Sequence, residues 1–207
     1  PAAQALVYDR PGLALFGDDA GRAALVEHIG AVAALVAALG GRVLVFGSPR
    51  LRDPKALSPQ AAFDLARDTF RRIGDRCAEL GTLLCIEPNP AVYGCAFVTT
   101  SAQGRALAQA VASPGFGLHL DTAGCLLSGE DPAQAVRDSA GRIEHMHASE
   151  PQLGTFDAPQ VDHASVGAAL RDVGYGGWLS LEMRAAGLPA LSRAIDHVAA
   201  AYGVQGG

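Results

Sequence analysis

The chain has no basic excess. Its 207 residues carry 16 Lys and Arg against 21 Asp and Glu, a formal net charge of −5. With so little positive charge to neutralise phosphates or an anionic lipid surface, neither a nucleic-acid partner nor a membrane partner is expected. The opening PAAQALVYDR lacks the basic n-region and apolar h-region of a signal peptide. No apolar run approaches the roughly 20 residues that cross a bilayer. Cysteine is scarce: Cys77, Cys85, Cys95 and Cys125 form no C-x-x-C pair. That argues against a cysteine zinc site and for reduced, mostly buried thiols in a cytoplasmic protein. No G-x-G-x-x-G follows the first strand-like run and no P-loop occurs, so the common nucleotide cradles are absent. No low-complexity linker or charge run divides the chain, and a single domain over residues 1–207 is expected.

What is present is an alternation. Short apolar runs, QALVYD, RVLVFG, TLLCIE, FGLHLD, IEHMHA and WLSLE, are bounded by Gly, Pro or polar residues, as buried strands are. Helical periodicity separates them: Phe63, Ala66, Phe70, Ile73, Cys77 and Leu80 share one face, and so do Leu188, Leu191, Ile195, Val198 and Tyr202. Ser58-Pro59 reads as an N-cap with proline in the first turn, and Gly40-Gly41, Gly81 and Gly174 fall where helix C-caps belong. Six β-α units of this kind imply a parallel sheet with helices outside it.

Open doubly wound sheets and closed barrels share that pattern, and the polar residues distinguish them. Four runs end in a residue type that binds metals: Glu87, Asp121, His147 and Glu182, successively 34, 26 and 35 residues apart. A β/α barrel of eight units spends roughly 31 residues on each, and its reactive groups sit at the C-terminal strand ends. One ionisable residue at a buried strand end is ordinary, as a loop-mouth carboxylate or a hydrogen-bonded histidine. Four in phase point to a single divalent-metal site. Three carboxylates and one imidazole suit Mn²⁺ or Mg²⁺, with Co²⁺, Fe²⁺ and Zn²⁺ also admissible.

At these residues the chain resembles the xylose isomerase-like TIM-barrel superfamily, in its sugar phosphate isomerase/epimerase branch. The likeness runs from QALVYDRPGLALFG through LGGRVLVFGSPR, IEPNP, HLDT, HMHASEP and GYGGWLSLEMR. It implies that Glu87, Asp121, His147 and Glu182 hold the metal, and that Glu87 and Glu182 also serve as the acid/base pair on opposite sides of the substrate. The implied substrate is a small polyhydroxy carbonyl compound. One glutamate removes a proton, a metal-stabilised enediolate forms, and a glutamate returns a proton. The chain departs from the branch at Gly124, where epimerases often have histidine, at Tyr93, commonly acidic, and at Leu153, often arginine. Those departures keep isomerisation and metal-dependent dehydration open beside epimerisation. The six runs align with the last six strands of the family's eight. The expected fold is therefore a TIM-type barrel lacking its first two β/α units, a shortfall of roughly 60 residues. A partner chain, a homo-oligomer or residues upstream of Pro1 would complete it, or the chain would act as a non-catalytic or composite subunit.

Lesser candidates carry two readings each. Asn89 and Glu150 lie on loops at the active face and either touch substrate or order the loop. His119 and His145 share a side of the strand with Asp121 and His147, and are expected to support the ligands or fill core, with His119 also near enough to count among substrate contacts. His163 faces the pocket or belongs to a helix cap. Arg184 binds an anionic substrate group or a surface partner. Gln4 points into the barrel, and His28 and His197 lie on outer helices in solvent. The superfamily's DNA-repair endonucleases need a multi-zinc cluster and a basic groove, which six histidines and a negative charge do not supply.

Overall fold

A computed structural model describes residues 2–5, 7, 10 and 12–203. Six parallel strands form one sheet in sequential order, β1 (Ala2–Gln4), β2 (Val43–Phe46), β3 (Leu83–Ile86), β4 (Phe116–Asp121), β5 (Ile143–Ser149) and β6 (Leu179–Glu182). Strictly sequential order, with a helix in every crossover, is barrel rather than doubly wound topology, since a doubly wound sheet reverses direction midway. The sheet is open: β1 and β6 are its edges among the described residues. The first strand lies earlier than QALVYD suggests, with Ala2, Ala3 and Gln4 paired to Val43, Leu44 and Val45. Of that run, Leu6, Tyr8 and Asp9 lie outside the described residues.

The helices α1 (Asp19–Ala38), α2 (Pro59–Glu79), α3 (Ser101–Val111), α4 (Thr122–Leu127), α5 (Pro132–Asp138), α6 (His163–Asp172) and α7 (Leu188–Tyr202) form the outer layer. Their starts follow the capping chemistry of the sequence. Ser58 accepts from the Ala61 amide, Thr100 from Gln103 and Asp131 from Ala133, each satisfying a first-turn N–H that has no helical partner. Gly40, Gly81 and Gly174 adopt positive φ just beyond α1, α2 and α6, as expected of C-caps. By length and composition α1 is apolar enough to cross a bilayer, contrary to the expectation that no run would be. In this fold its Leu25, Ile29, Val32 and Ala33 instead join the core between helices and sheet.

Strand side chains alternate between two apolar environments, which is why the runs read as continuously hydrophobic. Leu44, Phe46, Leu84 and Ile86 enter the helix–sheet core, while Val43, Val45, Leu83 and Cys85 form a smaller cluster on the concave face. Phe46, Phe70 and Phe116 pack in series, Phe46 edge-on to Phe70 at 5.5 Å and Phe70 tilted against Phe116 at 4.9 Å between ring centroids. All four cysteines are free and buried.

The face assigned to α7 is only partly internal. Tyr202 is buried, but Leu188 and Ile195 are 77% and 52% exposed, and Leu191 is exposed as well. The cause is position: α7 packs on α6 through Ala194, Ala201 and Tyr202 and lies beside edge strand β6, beyond which no described element covers it. At the opposite edge Leu35 and Leu39 of α1 are similarly exposed.

Candidate metal centre

The four ligand-type residues converge at the C-terminal end of the sheet. Glu87 immediately follows β3, Asp121 and Glu182 close β4 and β6, and His147 stands on β5. Register places Asp121 beside His147, and Ser149 beside Glu182. His147 Nδ1 lies 3.1 Å from Glu182 Oε2 and 4.0 Å from Asp121 Oδ2. Ligand atoms of Glu87, His119, Asp121 and His147 all lie within 4.8 Å of one another. His119 thus comes closer to the carboxylates than expected, with Nε2 3.9 Å from Glu87 Oε1.

Asp121 is held from two sides. It caps α4, Oδ1 accepting from the Gly124 amide at 2.6 Å, and Oδ2 accepts from Ser149 Oγ at 2.6 Å. The hydroxyl of Thr122 locks the same corner by donating to Ser149 O and accepting from Ser149 N. Glu87 owes its room to Gly47 at the end of β2, because a Cβ there would collide with Glu87 Oε2.

The carboxylates of the site are buried close to one another. Burial, reinforced by the Asp121 charge, pushes the Glu87 carboxyl up from 4.5 to about 7, against the opposing pull of His147 and Arg52. Burial also raises Asp121, despite its bonds from Ser149 and Gly124. For His147 burial acts downward, but Glu182, Glu87 and Asp121 together outweigh it and raise the imidazole. Burial holds His119 well down and lowers His145 to about 4. Crowded buried carboxylates beside His147, with the buried nitrogens of His119 next to them, fit a divalent cation, which would offset the repulsion between the carboxylates and take the imidazole lone pair.

A cleft of about 330 Å³ opens beside Glu87 and Glu182, lined also by Gln4, Gly47, Asn89, Tyr93 and Arg184. Asn89 orders its loop, its Oδ1 accepting from Arg52 Nη2 at 2.7 Å, and it also lines the cleft. Arg52 is wholly buried and also donates to Phe97 O at 3.2 Å, tying the Glu87 loop to the extended segment after it. Sequence reading missed Arg52, since an arginine in PRLR looks like surface. Across the cleft, Tyr93 OH accepts from the Gln152 amide at 2.9 Å. Leu153 O accepts from Arg184 N at 3.0 Å.

Glu150 orders its loop, and His163, the first residue of α6 after its N-cap Asp162, sits in the helix-cap neighbourhood. Glu150 accepts from the Gln160 and Val161 amides and meets His163 Nε2 at 2.8 Å, while His163 Nδ1 meets Tyr202 OH at 2.7 Å. Both are buried and their polar atoms are engaged with one another rather than with the cleft. His197 likewise is not in solvent but packs on Phe156 and His163, and His28 is half-buried.

Comparison with known proteins agrees with this architecture. A model of the xylose isomerase-like TIM barrel family matches residues 9–201. An L-ribulose 3-epimerase of Mesorhizobium japonicum (strain LMG 29417 / CECT 9101 / MAFF 303099) is 35% identical over 85 residues, 41% of this chain and 29% of that protein. A ketose 3-epimerase of Arthrobacter globiformis is 27% identical over 125 residues, 59% of this chain and 43% of that one. The chain thus matches less than half the length of these curated relatives. The solved D-psicose 3-epimerase with D-tagatose from Clostridium cellulolyticum H10 aligns with a TM-score of 0.80 over 92% of this chain and 75% of its own, at 15% identity, a likeness of fold. By sequence and by fold, the chain belongs to the xylose isomerase-like TIM barrel family.

Proposed function

We propose that the chain acts as a divalent-metal-dependent isomerase or epimerase on a small sugar-like polyhydroxy carbonyl compound, with Glu87 and Glu182 as the acid/base pair. The observation that carries this reading is the meeting of Glu87, Asp121, His147 and Glu182 at the C-terminal strand ends, with Glu87 and Glu182 also lining the adjoining cleft. The 3-epimerase names of the matched relatives support it. A divalent ion at these residues, with Mn²⁺ or Mg²⁺ favoured by the oxygen-rich set, would polarise a carbonyl and its neighbouring hydroxyl, acidifying the C–H bond between.

The protein's own groups supply the rest. Glu87, held near neutrality by burial, can both accept and return a proton at physiological pH. Glu182 is about a third exposed, with its carboxylate on the cleft side of His147, where it can exchange a proton with a bound sugar. Asp121, fixed by Ser149 and Gly124, is a positioned ligand rather than a proton carrier. Gln4, Asn89 and Arg184 offer polar contacts for hydroxyls along the cleft.

The test is incubation of ketoses with the protein and Mn²⁺ in D₂O. Deuterium at the carbon beside the carbonyl, with an unchanged carbon skeleton, supports isomerisation or epimerisation. Loss of water from the product mass would instead select a dehydratase. No exchange with any ketose, in protein shown to hold metal, overturns the proposal.

A further inference from the structure

We propose that a second metal position lies one layer beneath the first, formed by the imidazoles of His119, His145 and His147 and suited to a borderline transition ion such as Zn²⁺ or Co²⁺. The sheet builds it directly. Register pairs His119 with His145 one step below the pair Asp121 and His147, so on the concave face of β4 and β5 the His119 and His145 rings stack and His147 meets both edge-on. Each offers a ring nitrogen within 4.8 Å of the other two. Ring centroids of His119 and His147 are 4.1 Å apart, and His145 lies 5.4 and 5.2 Å from them.

The second observation is the state of those nitrogens. His119 and His145 are 0% exposed, yet no side chain pairs with either nitrogen of His119 or with Nδ1 of His145 among the described residues; the His145 backbone, a hydrogen-bond influence on His119, can occupy one His119 nitrogen and leaves the other. His145 Nε2 is the exception, 3.1 Å from Ser180 Oγ, which fixes the ring and leaves Nδ1 for another partner. Buried polar atoms are rarely left unpaired, and a nitrogen of His119 and one of His145 left so beside His147 call for an occupant. Zinc–imidazole bonds of about 2.1 Å put tetrahedral nitrogens about 3.4 Å apart, so nitrogens now within 4.8 Å need to close by at most about 1.4 Å.

Ion chemistry separates the two positions. Neutral nitrogen donors suit Zn²⁺ and Co²⁺, whereas Mn²⁺ and Mg²⁺ prefer the carboxylates above. His147 belongs to both, and a neutral imidazole has one lone pair, so the two positions are alternatives rather than a two-metal centre. An ion drawn into the lower position leaves Glu87 and Glu182 without one. The inference rests on the metal-centre reading only through His147.

X-ray absorption of the full chain loaded with Zn²⁺, and separately with Mn²⁺, tests it by counting imidazoles. Three around Zn²⁺ and one or two around Mn²⁺ are expected, with Zn²⁺ competing Mn²⁺ out. His145→Leu should weaken Zn²⁺ binding about tenfold or more while Mn²⁺ binding persists, and Asp121→Asn should do the reverse. His145→Gln serves as the second variant, and the wild-type imidazole count decides the matter even if neither folds. Zn²⁺ with a single imidazole, or Zn²⁺ affinity unaltered in the His145 variants, overturns the lower position and leaves the upper one standing. Failure of both ions to bind overturns both.

Discussion

Glu87→Gln should stabilise the metal-free protein, and increasingly so as pH rises. The folded carboxyl is raised from 4.5 to about 7, so its contribution is fully present below the unfolded value and is lost as pH rises through the folded one. At about 1.36 kcal/mol per pH unit, the full shift corresponds to about 3 kcal/mol, an upper figure because Asp121 and His147 titrate with it. Glutamine keeps the shape and carries no charge to desolvate. The assay is urea unfolding of both proteins in chelator at pH 5 and pH 8. The stability difference between variant and wild type should grow by about 2–3 kcal/mol in favour of the variant across that interval. Taking the difference between proteins cancels the titrating groups that do not interact with Glu87, while Asp121 and His147 remain in it. Saturating Mn²⁺ at pH 8 should then raise wild type and leave the variant nearly unmoved, since only a ligand that binds the folded state stabilises it. A difference that does not change with pH would refute the claim that Glu87 is held in a strained, cation-seeking environment.

Other expectations follow from single contacts. Gly47→Ala should leave urea stability within about 1 kcal/mol, because the colliding Glu87 oxygen can rotate away, while Mn²⁺ affinity measured by calorimetry falls about tenfold or more. Arg52→Leu should cost about 3 kcal/mol in the same unfolding assay, by stranding Asn89 Oδ1 and Phe97 O around a site built for a guanidinium. Tyr202→Phe should cost about 1 kcal/mol and increase proteolytic nicking between Glu150 and His163, whose network ends on that hydroxyl. Phe70→Ala, at the centre of the aromatic series, should cost about 3–5 kcal/mol.

The strand and helix order was readable because buried parallel strands and amphipathic helices differ in period, and because Ser58 and Gly81 mark their boundaries chemically. The candidate ligand cluster was readable for a related reason: Glu87, Asp121 and Glu182 each end an apolar run and His147 lies one residue from the end of its own, and an ionisable group there requires compensation. Glu150 and His163 were harder, since a partner 39 residues away, Tyr202, decides whether an imidazole looks inward or toward a cleft. Arg52 was invisible because its burial comes from the Asn89 loop folding over it, a tertiary event no local pattern records. The closeness of His119 to Glu87 likewise depends on the cross-strand stagger between β3 and β4, not on spacing along either strand. On α7 the periodicity correctly gave an apolar face, but periodicity says nothing about whether a neighbour covers it, and Leu188 and Ile195 remain exposed.

The most direct test of the metal centre is equilibrium Mn²⁺ binding by the wild-type chain beside Asp121→Asn and Glu182→Gln, with circular dichroism to confirm that each is folded. One Mn²⁺ per wild-type chain, with affinity reduced about tenfold or more in both folded variants, is the predicted result. Wild-type protein that is folded and takes up no Mn²⁺, or variants that bind it as well as wild type, would contradict the account.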